Sequence, residues 1–349
     1  MENTQEKVVI TGVSGFLGSG VLKKFVEQGQ FSIRGTVRDP NNEKKVAPLR
    51  ECIGAEEFKN VELVAADLLD DASMDKAIEG CQYVVHTASP FFEAQPKDEE
   101  KVIKPAVEGT LSVLRACQKH KVKRLVITSS IVSVLDYNAF KEMNDENDWL
   151  DPTHPNVPPY SKSKVLAEKA VWEYVNKLPQ EEKFDVVVIN PGFILGPILV
   201  KSGFTSQTVV QNIMTGKYQG IPDIYTGIVD VRDVADAHVI GVTTSSVNER
   251  FLLVENTYEF AYIGQVLYDE FKPKGYKVVR KKLSYCVAKI ASCCMYELKL
   301  YLQQWGKNAQ VSNEKARTKL GIKFIKVKDS IKEMGYSLIE KRYISDKTK

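Results

Sequence analysis

Six apolar runs of strand length alternate with longer amphipathic stretches through the first half of the chain, and this rhythm limits the possible folds more than any other feature. The runs at residues 7–13, 33–38, 61–67, 83–89, 124–130 and 185–191 are rich in Val, Ile and Leu, as expected of parallel strands covered on both faces. Helix-like segments at 16–28, 42–52, 73–80, 99–120 and 160–177 lie between them. Such alternation, closed by right-handed crossovers, predicts an α/β chain with a Rossmann-type doubly wound parallel sheet. After Pro191 the rhythm loosens. Residues 192–230 read as loop rich in Gly and Pro, one further strand is expected at 250–255, and the rest reads as mainly helical.

The first strand runs straight into Gly12, Val13, Ser14, Gly15, Phe16, Leu17 and Gly18, and an amphipathic helix follows. Glycines at such a turn let a pyrophosphate approach the helix N-terminus, where free N–H groups and the helix dipole favour anions. The spacing is Gly-x-x-Gly-x-x-Gly, not the tighter Gly-x-Gly-x-x-Gly. Arg38 stands at the end of the second strand, where a carboxylate would suit the 2′-hydroxyl of NAD. A guanidinium suits a 2′-phosphate instead, so NADP(H) is the expected cofactor, with Lys45 adding a second positive charge. The neighbouring Asp39 keeps an NAD reading open. The nucleotide-binding domain is expected over 1–197 with a return at about 229–256, and a smaller, mainly C-terminal substrate lobe over 198–228 and 257–349.

A Tyr-x-x-x-Lys pair places phenol and ammonium on one helix face, where the lysine is expected to lower the phenol's pKa and make it a usable proton donor. Five such pairs occur here, so spacing alone selects none. Only Tyr160/Lys164 opens a helix, after Pro158 and Pro159, that lies between a strand ending at Ser129 and Ser130 and a strand ending at Pro191. A doubly wound sheet holds ligands at the carboxyl ends of its strands. Either serine could therefore hold a carbonyl that Tyr160 protonates.

The Thr-Gly-x-x-Gly-x-x-Gly turn, Ala66-Asp67-Leu68, His86-Thr87-Ala88-Ser89-Pro90, Ser130 and the Tyr160/Lys164 pair together resemble the extended short-chain dehydrogenase/reductases. Residues 36–40, 229–238 and 311–321 are similar to the branch that holds dihydroflavonol, cinnamoyl-CoA and methylglyoxal reductases. The resemblance covers nearly the whole chain. It implies that Tyr160 is the acid/base, that Lys164 lowers its pKa and binds the nicotinamide ribose, and that Ser130 rather than Ser129 polarises the carbonyl. It further implies Asp67 and Leu68 beside the adenine, Thr87, Ala88 and Ser89 along the cofactor's inner face, Pro191, Gly192, Phe193 and Ile194 at the nicotinamide, and Arg38 and Lys45 on the 2′-phosphate. Two departures stand out. Ala106 occupies the place where many relatives carry Asn, so no Asn-containing tetrad is expected, and Ser133 replaces the substrate-contacting Asn of plant flavonoid reductases, which argues against a flavonoid.

The expected activity is NADPH-dependent reduction of a small-molecule aldehyde or ketone, in a pocket lined by Phe91, Phe92, residues 131–159, Phe193 and residues 198–228. A 3β-hydroxysteroid dehydrogenase is the enzymatic alternative, suggested by a helical insert at 283–305, and a non-catalytic NADP-sensing regulator is the alternative of another class. The net charge of +3 hides an asymmetry, because residues 272–349 carry 20 Lys and Arg against 6 Asp and Glu. No aromatic-interleaved basic motif accompanies that charge, so no nucleic-acid partner is expected. The polar N-terminus lacks the pattern of a secretory signal, no run reaches the ~20 apolar residues of a membrane span, and no Cys/His spacing suits a metal. A cytoplasmic protein with six reduced, mostly buried thiols is the expectation.

Overall fold

The computed structural model describes residues 5–88, 98–154, 156–293 and 296–347. Its strands are β1 (Lys7–Thr11), β2 (Ser32–Val37), β3 (Val61–Ala65), β4 (Tyr83–His86), β5 (Arg124–Thr128), β6 (Met143–Asn144), β7 (Asp185–Pro191), β8 (Phe193–Leu195), β9 (Tyr225–Asp230), β10 (Glu249–Leu253), β11 (Asn256–Glu259) and β12 (Gln310–Val311). Its helices are α1 (Phe16–Gln28), α2 (Glu43–Ile53), α3 (Ala55–Phe58), α4 (Asp71–Ile78), α5 (Glu100–Lys119), α6 (Pro159–Lys177), α7 (Thr205–Thr215), α8 (Val231–Thr243), α9 (Ala261–Phe271), α10 (Tyr285–Ala291), α11 (Tyr296–Leu302), α12 (Glu314–Lys319) and α13 (Val327–Glu340).

Seven strands form one wholly parallel sheet in the order β10-β7-β5-β4-β1-β2-β3. Side chains alternate across it. Val8 and Ile10 of β1 join the apolar cluster that includes Val21, Leu22 and Phe25 of α1 and Val234 of α8, whereas Val9 joins Val113 and Leu114 of α5 and Val171 of α6. Helices on both faces explain why each strand reads as a continuous apolar run. From β1 the chain winds outward to β2 and β3, then crosses back to β4 on the other side, so the strand order reverses between β1 and β4. A crevice opens at the carboxyl ends of strands flanking such a reversal.

The segment after Pro191 is more ordered than the Gly- and Pro-rich sequence suggests. It holds β8, α7 and β9, and with β11 these strands form a second sheet in the order β11-β9-β8. Gly192 is the joint. A Cβ there would lie 2.4 Å from the carbonyl oxygen of Gly227, so only glycine lets the two backbones come this close. Behind this sheet lies a separate apolar cluster built from α7, α9 and α13, including Ile213, Leu267, Phe271 and Ile331. The preceding helix behaves differently: Ala316, Leu320 and Ile322, in and just after α12, pack into the cluster of the main sheet.

The thiols differ from expectation. Cys81 and Cys117 are buried and Cys52 half-buried, but Cys286 and Cys293 are exposed on and beside α10, so the described thiols are not mostly buried; all five are free. No helix among the described residues is long and apolar enough to cross a membrane.

Candidate active site

The crevice is built where β1, β4 and β5 end and α6 begins. Thr11, fully buried at the end of β1, fixes the first turn to β4: its hydroxyl lies 2.8 Å from His86 Nδ1 and accepts the Ala88 N–H at 3.1 Å, while Thr87 Oγ1 donates to the Thr11 carbonyl at 2.6 Å. Gly12 adopts φ +72°, where a side chain is strained. A Cβ on Gly18 would stand 2.2 Å from the Gly12 carbonyl oxygen, so α1 packs directly on the turn. Gly15 caps α1 with no side-chain hydrogen bond, and the first turn carries no acidic residue. The amides of Phe16, Leu17 and Gly18 are therefore left for an anion, which fits a pyrophosphate. Val13 is buried beneath this turn and Ser14 is half-buried.

Arg38 and Lys45 are exposed beyond the end of β2, and among the described residues neither side chain has an ion-pair or hydrogen-bond partner. The carboxylate of Asp39 is occupied, accepting the Asn41 N–H at 2.9 Å. Asp67 likewise accepts the Leu69 N–H at 2.9 Å, and Leu68 lies against Gly109 of α5. Pro191 is buried at the end of β7, Gly192 and Ile194 are partly exposed, and Phe193 packs edge-on against Phe260 with centroids 5.5 Å apart. Ser89, Phe91 and Phe92 fall outside the described residues.

Pro159 takes the first position of α6, where its fixed φ suits a helix start and its missing N–H leaves no bond unmade. Tyr160 follows, 39% exposed, with the Ser130 hydroxyl beside its phenol. One turn on, Lys164 Nζ sits 5.7 Å from the centre of the Tyr160 ring. The expected lowering of the phenol's pKa is not observed. Burial pushes Tyr160 above the ordinary tyrosine value, and the neighbouring Ser130 hydroxyl only partly offsets this. Lys164 is itself lowered to about 8 by burial, against the opposing pull of the Glu168 carboxylate. Burial, reinforced by Lys164, holds His86 down to about 3, so its ring is neutral.

The two serines divide. Ser130 turns its hydroxyl to Tyr160, whereas Ser129 donates to Glu168. Behind Lys164 a cavity of about 30 Å³ is lined by His86, Ala106, Thr110, Ser129 and Glu168, enough for a water molecule. Sequence reasoning passed over Glu168 and Arg250, which form an ion pair of 2.8 Å with side chains 1% and 6% exposed. A charged residue at the start of the expected apolar strand 250–255 was the available signal. Ser130 and Tyr160 bring two hydroxyls together above the carboxyl end of β5, an arrangement able to bind and protonate a carbonyl oxygen.

Residues 9–262 match the model of the 3-beta hydroxysteroid dehydrogenase/isomerase family. The chain belongs to that family. A cinnamoyl-CoA reductase of Medicago truncatula is 33% identical over 348 residues, covering 98% of each chain. Among solved structures, vestitone reductase from alfalfa is 28% identical with a TM-score of 0.74 over 97% of this chain and 99% of that one. Gre2 of Candida albicans, in its NADPH complex, is 25% identical with a TM-score of 0.78 over 96% and 99%. The similarity thus runs through the second sheet and the C-terminal helices, and the reductase branch singled out by residues 36–40 and 229–238 is the one these relatives occupy.

Proposed function

We propose that this chain is an NADPH-dependent reductase that converts an aldehyde or ketone to an alcohol in the crevice between β4, β5 and α6. The observation that carries the reading is the Ser130 hydroxyl beside the Tyr160 phenol at the start of α6, with Lys164 one helical turn away. Arg38 and Lys45, unpaired among the described residues, fit a 2′-phosphate, and the uncapped start of α1 fits a pyrophosphate. When bound, the reduced dinucleotide supplies hydride to the carbonyl carbon. Ser130 donates a hydrogen bond to the carbonyl oxygen, and Tyr160 transfers its phenolic proton to that oxygen as charge develops there. The raised pKa of Tyr160 keeps the phenol protonated at neutral pH, the form that reduction needs. Lys164, as an ammonium, stabilises the tyrosinate left behind until solvent restores the proton.

The lobe built on α7, α9 and α13 supplies the substrate side in this reading, with Phe193 and Phe260 at its border. The steroid alternative draws on the family model's name, whereas the relatives that match over the whole length are named as reductases. A cytoplasmic location is part of the same proposal, in keeping with the free thiols. The test is loss of NADPH absorbance with a panel of aldehydes and ketones. Turnover that disappears in Tyr160→Phe supports the proposal; tight NADPH binding without turnover on any carbonyl would favour a non-catalytic sensor.

A further inference from the structure

A carboxylate and a guanidinium taken out of water rarely add stability over well-packed apolar residues of the same volume, so a buried pair beside a reaction site calls for another reason. Glu168 lies four residues beyond Lys164 on the same face of α6 and is 2% exposed. Its Oε2 is met by Ser129 Oγ at the end of β5, Ser133 Oγ at 2.8 Å in the 3-10 turn Ile131–Ser133, and Asn190 Nδ2 at 2.7 Å on β7. Its Oε1 faces Arg250 Nε on β10. One side chain therefore joins α6 to three strand ends.

The same network grips Ser130 from behind. The Ser130 carbonyl lies 2.8 Å from Ser133 Oγ and accepts Asn190 Nδ2 at 3.3 Å, while its hydroxyl accepts the Val132 N–H at 3.3 Å and lies beside the Tyr160 phenol. Arg250 completes the enclosure, donating to Ser133 Oγ and to the Asp148 carbonyl at 2.9 Å each and stacking 3.7 Å over the Trp149 ring. Among the described residues, the groups around Lys164 include Tyr160 and Glu168 on its own helix and the neutral His86 on β4, with Arg250 of β10 behind Glu168. Glu168 thus supplies the negative charge that acts on Lys164.

We propose that Glu168 is a positioning residue of this site: clamped by Arg250, it holds the Ser129–Ser133 turn against α6 and sets its carboxylate one helical turn from Lys164. This rests on the reading of Tyr160, Lys164 and Ser130 given above.

Glu168→Gln keeps the shape and removes the charge. With the reductase assay in hand, kcat is expected to fall about tenfold or more while KM for NADPH moves little, since only steps involving charge at Tyr160 and Lys164 are affected. The alkaline limb of the kcat–pH profile should move down by about one pH unit, a tenfold change in the proton affinity of Lys164. Because the neutral amide would leave Arg250 without its counter-charge and lower stability, the double variant Glu168→Gln/Arg250→Met is measured beside it. It should recover the thermal midpoint and retain the displaced limb. A wild-type limb and wild-type kcat in either variant would overturn the proposal and leave the pair a structural element alone. Full activity in Tyr160→Phe would instead sink the reading of the site itself, a result distinguishable from either.

Discussion

The hydroxyl of Ser130, just after β5, lies beside the phenol of Tyr160, the second residue of α6. Its neighbour Ser129 points the other way, into the carboxylate of Glu168. Adjacent serines on an extended backbone face opposite sides, so one serves the crevice and the other the interior.

That division predicts unequal mutants. Ser130→Ala should lower kcat on the order of a hundredfold, the scale of a lost donor to a developing oxyanion. Ser129→Ala should cost less than about tenfold, because Ser133 and Asn190 continue to hold Glu168. Steady-state kinetics on both enzymes decide the point, and equal losses would show that the assignment of roles is mistaken.

Arg38 is exposed and unpaired among the described residues, so replacing it should leave stability unchanged. Arg38→Asp is expected to raise KM for NADPH by roughly 10- to 100-fold through loss of a charge-assisted hydrogen bond and new repulsion, while KM for NADH falls or stays level. An unaltered ratio of the two would place the 2′-phosphate elsewhere.

Glycines at the two ends of α1 make a controlled comparison. A Cβ on Gly18 meets the Gly12 carbonyl at 2.2 Å and Thr87 Oγ1 at 3.0 Å, whereas a Cβ on Gly29 meets nothing within 4 Å. Gly18→Ala should destabilise by about 1 to 3 kcal/mol and abolish NADPH binding by displacing the turn. Gly29→Ala, strained by its φ of +63° at the helix end, should cost only about 1 kcal/mol and bind normally. Thermal melts with NADPH fluorescence titration separate the two effects.

Asp233 on α8 gives a pH signature. Burial pushes its carboxyl up to about 7; the Ile325 N–H bonded to it at 3.0 Å opposes this, and nearby Asp230 and Asp236 add to the rise. Below about pH 4 the group is protonated both folded and unfolded. As pH climbs from about 4 to 7 the unfolded chain releases the proton first, so stability falls across that window and then levels off. Asp233→Asn retains an acceptor for Ile325 and should stabilise the fold at pH 8 by roughly 2 to 4 kcal/mol, with little effect near pH 4. Urea unfolding at both pH values measures it, and a gain of equal size at both would exclude a titrating Asp233.

The parallel sheet was legible because Val8, Val9, Ile10, Val84 and Val85 are buried on both faces, which writes an unbroken apolar run into the sequence. The stretch after Pro191 was not. Its strand β8 has three residues flanked by Gly192 and Gly196, and β9 contains Gly227; glycines normally mark loops, but here Gly192 and Gly227 allow two backbones to touch. The Tyr160/Lys164 pair could be placed from its proline-capped helix start, yet the direction of the phenol's pKa depends on how closely it is enclosed, which spacing cannot reveal. Glu168 and Arg250 belong to different elements far apart in the chain, and only the fold brings them together.

The C-terminal segment has a mechanical consequence. Ala316, Leu320 and Ile322 fill the interior behind β10, and a few residues later Val327, Ile331, Met334 and Leu338 fill the interior behind β9. This stretch acts as a stitch through two halves, so a protease cut between β12 and α12 should undo both at once and register as one cooperative collapse where a frayed tail would leave the remainder standing.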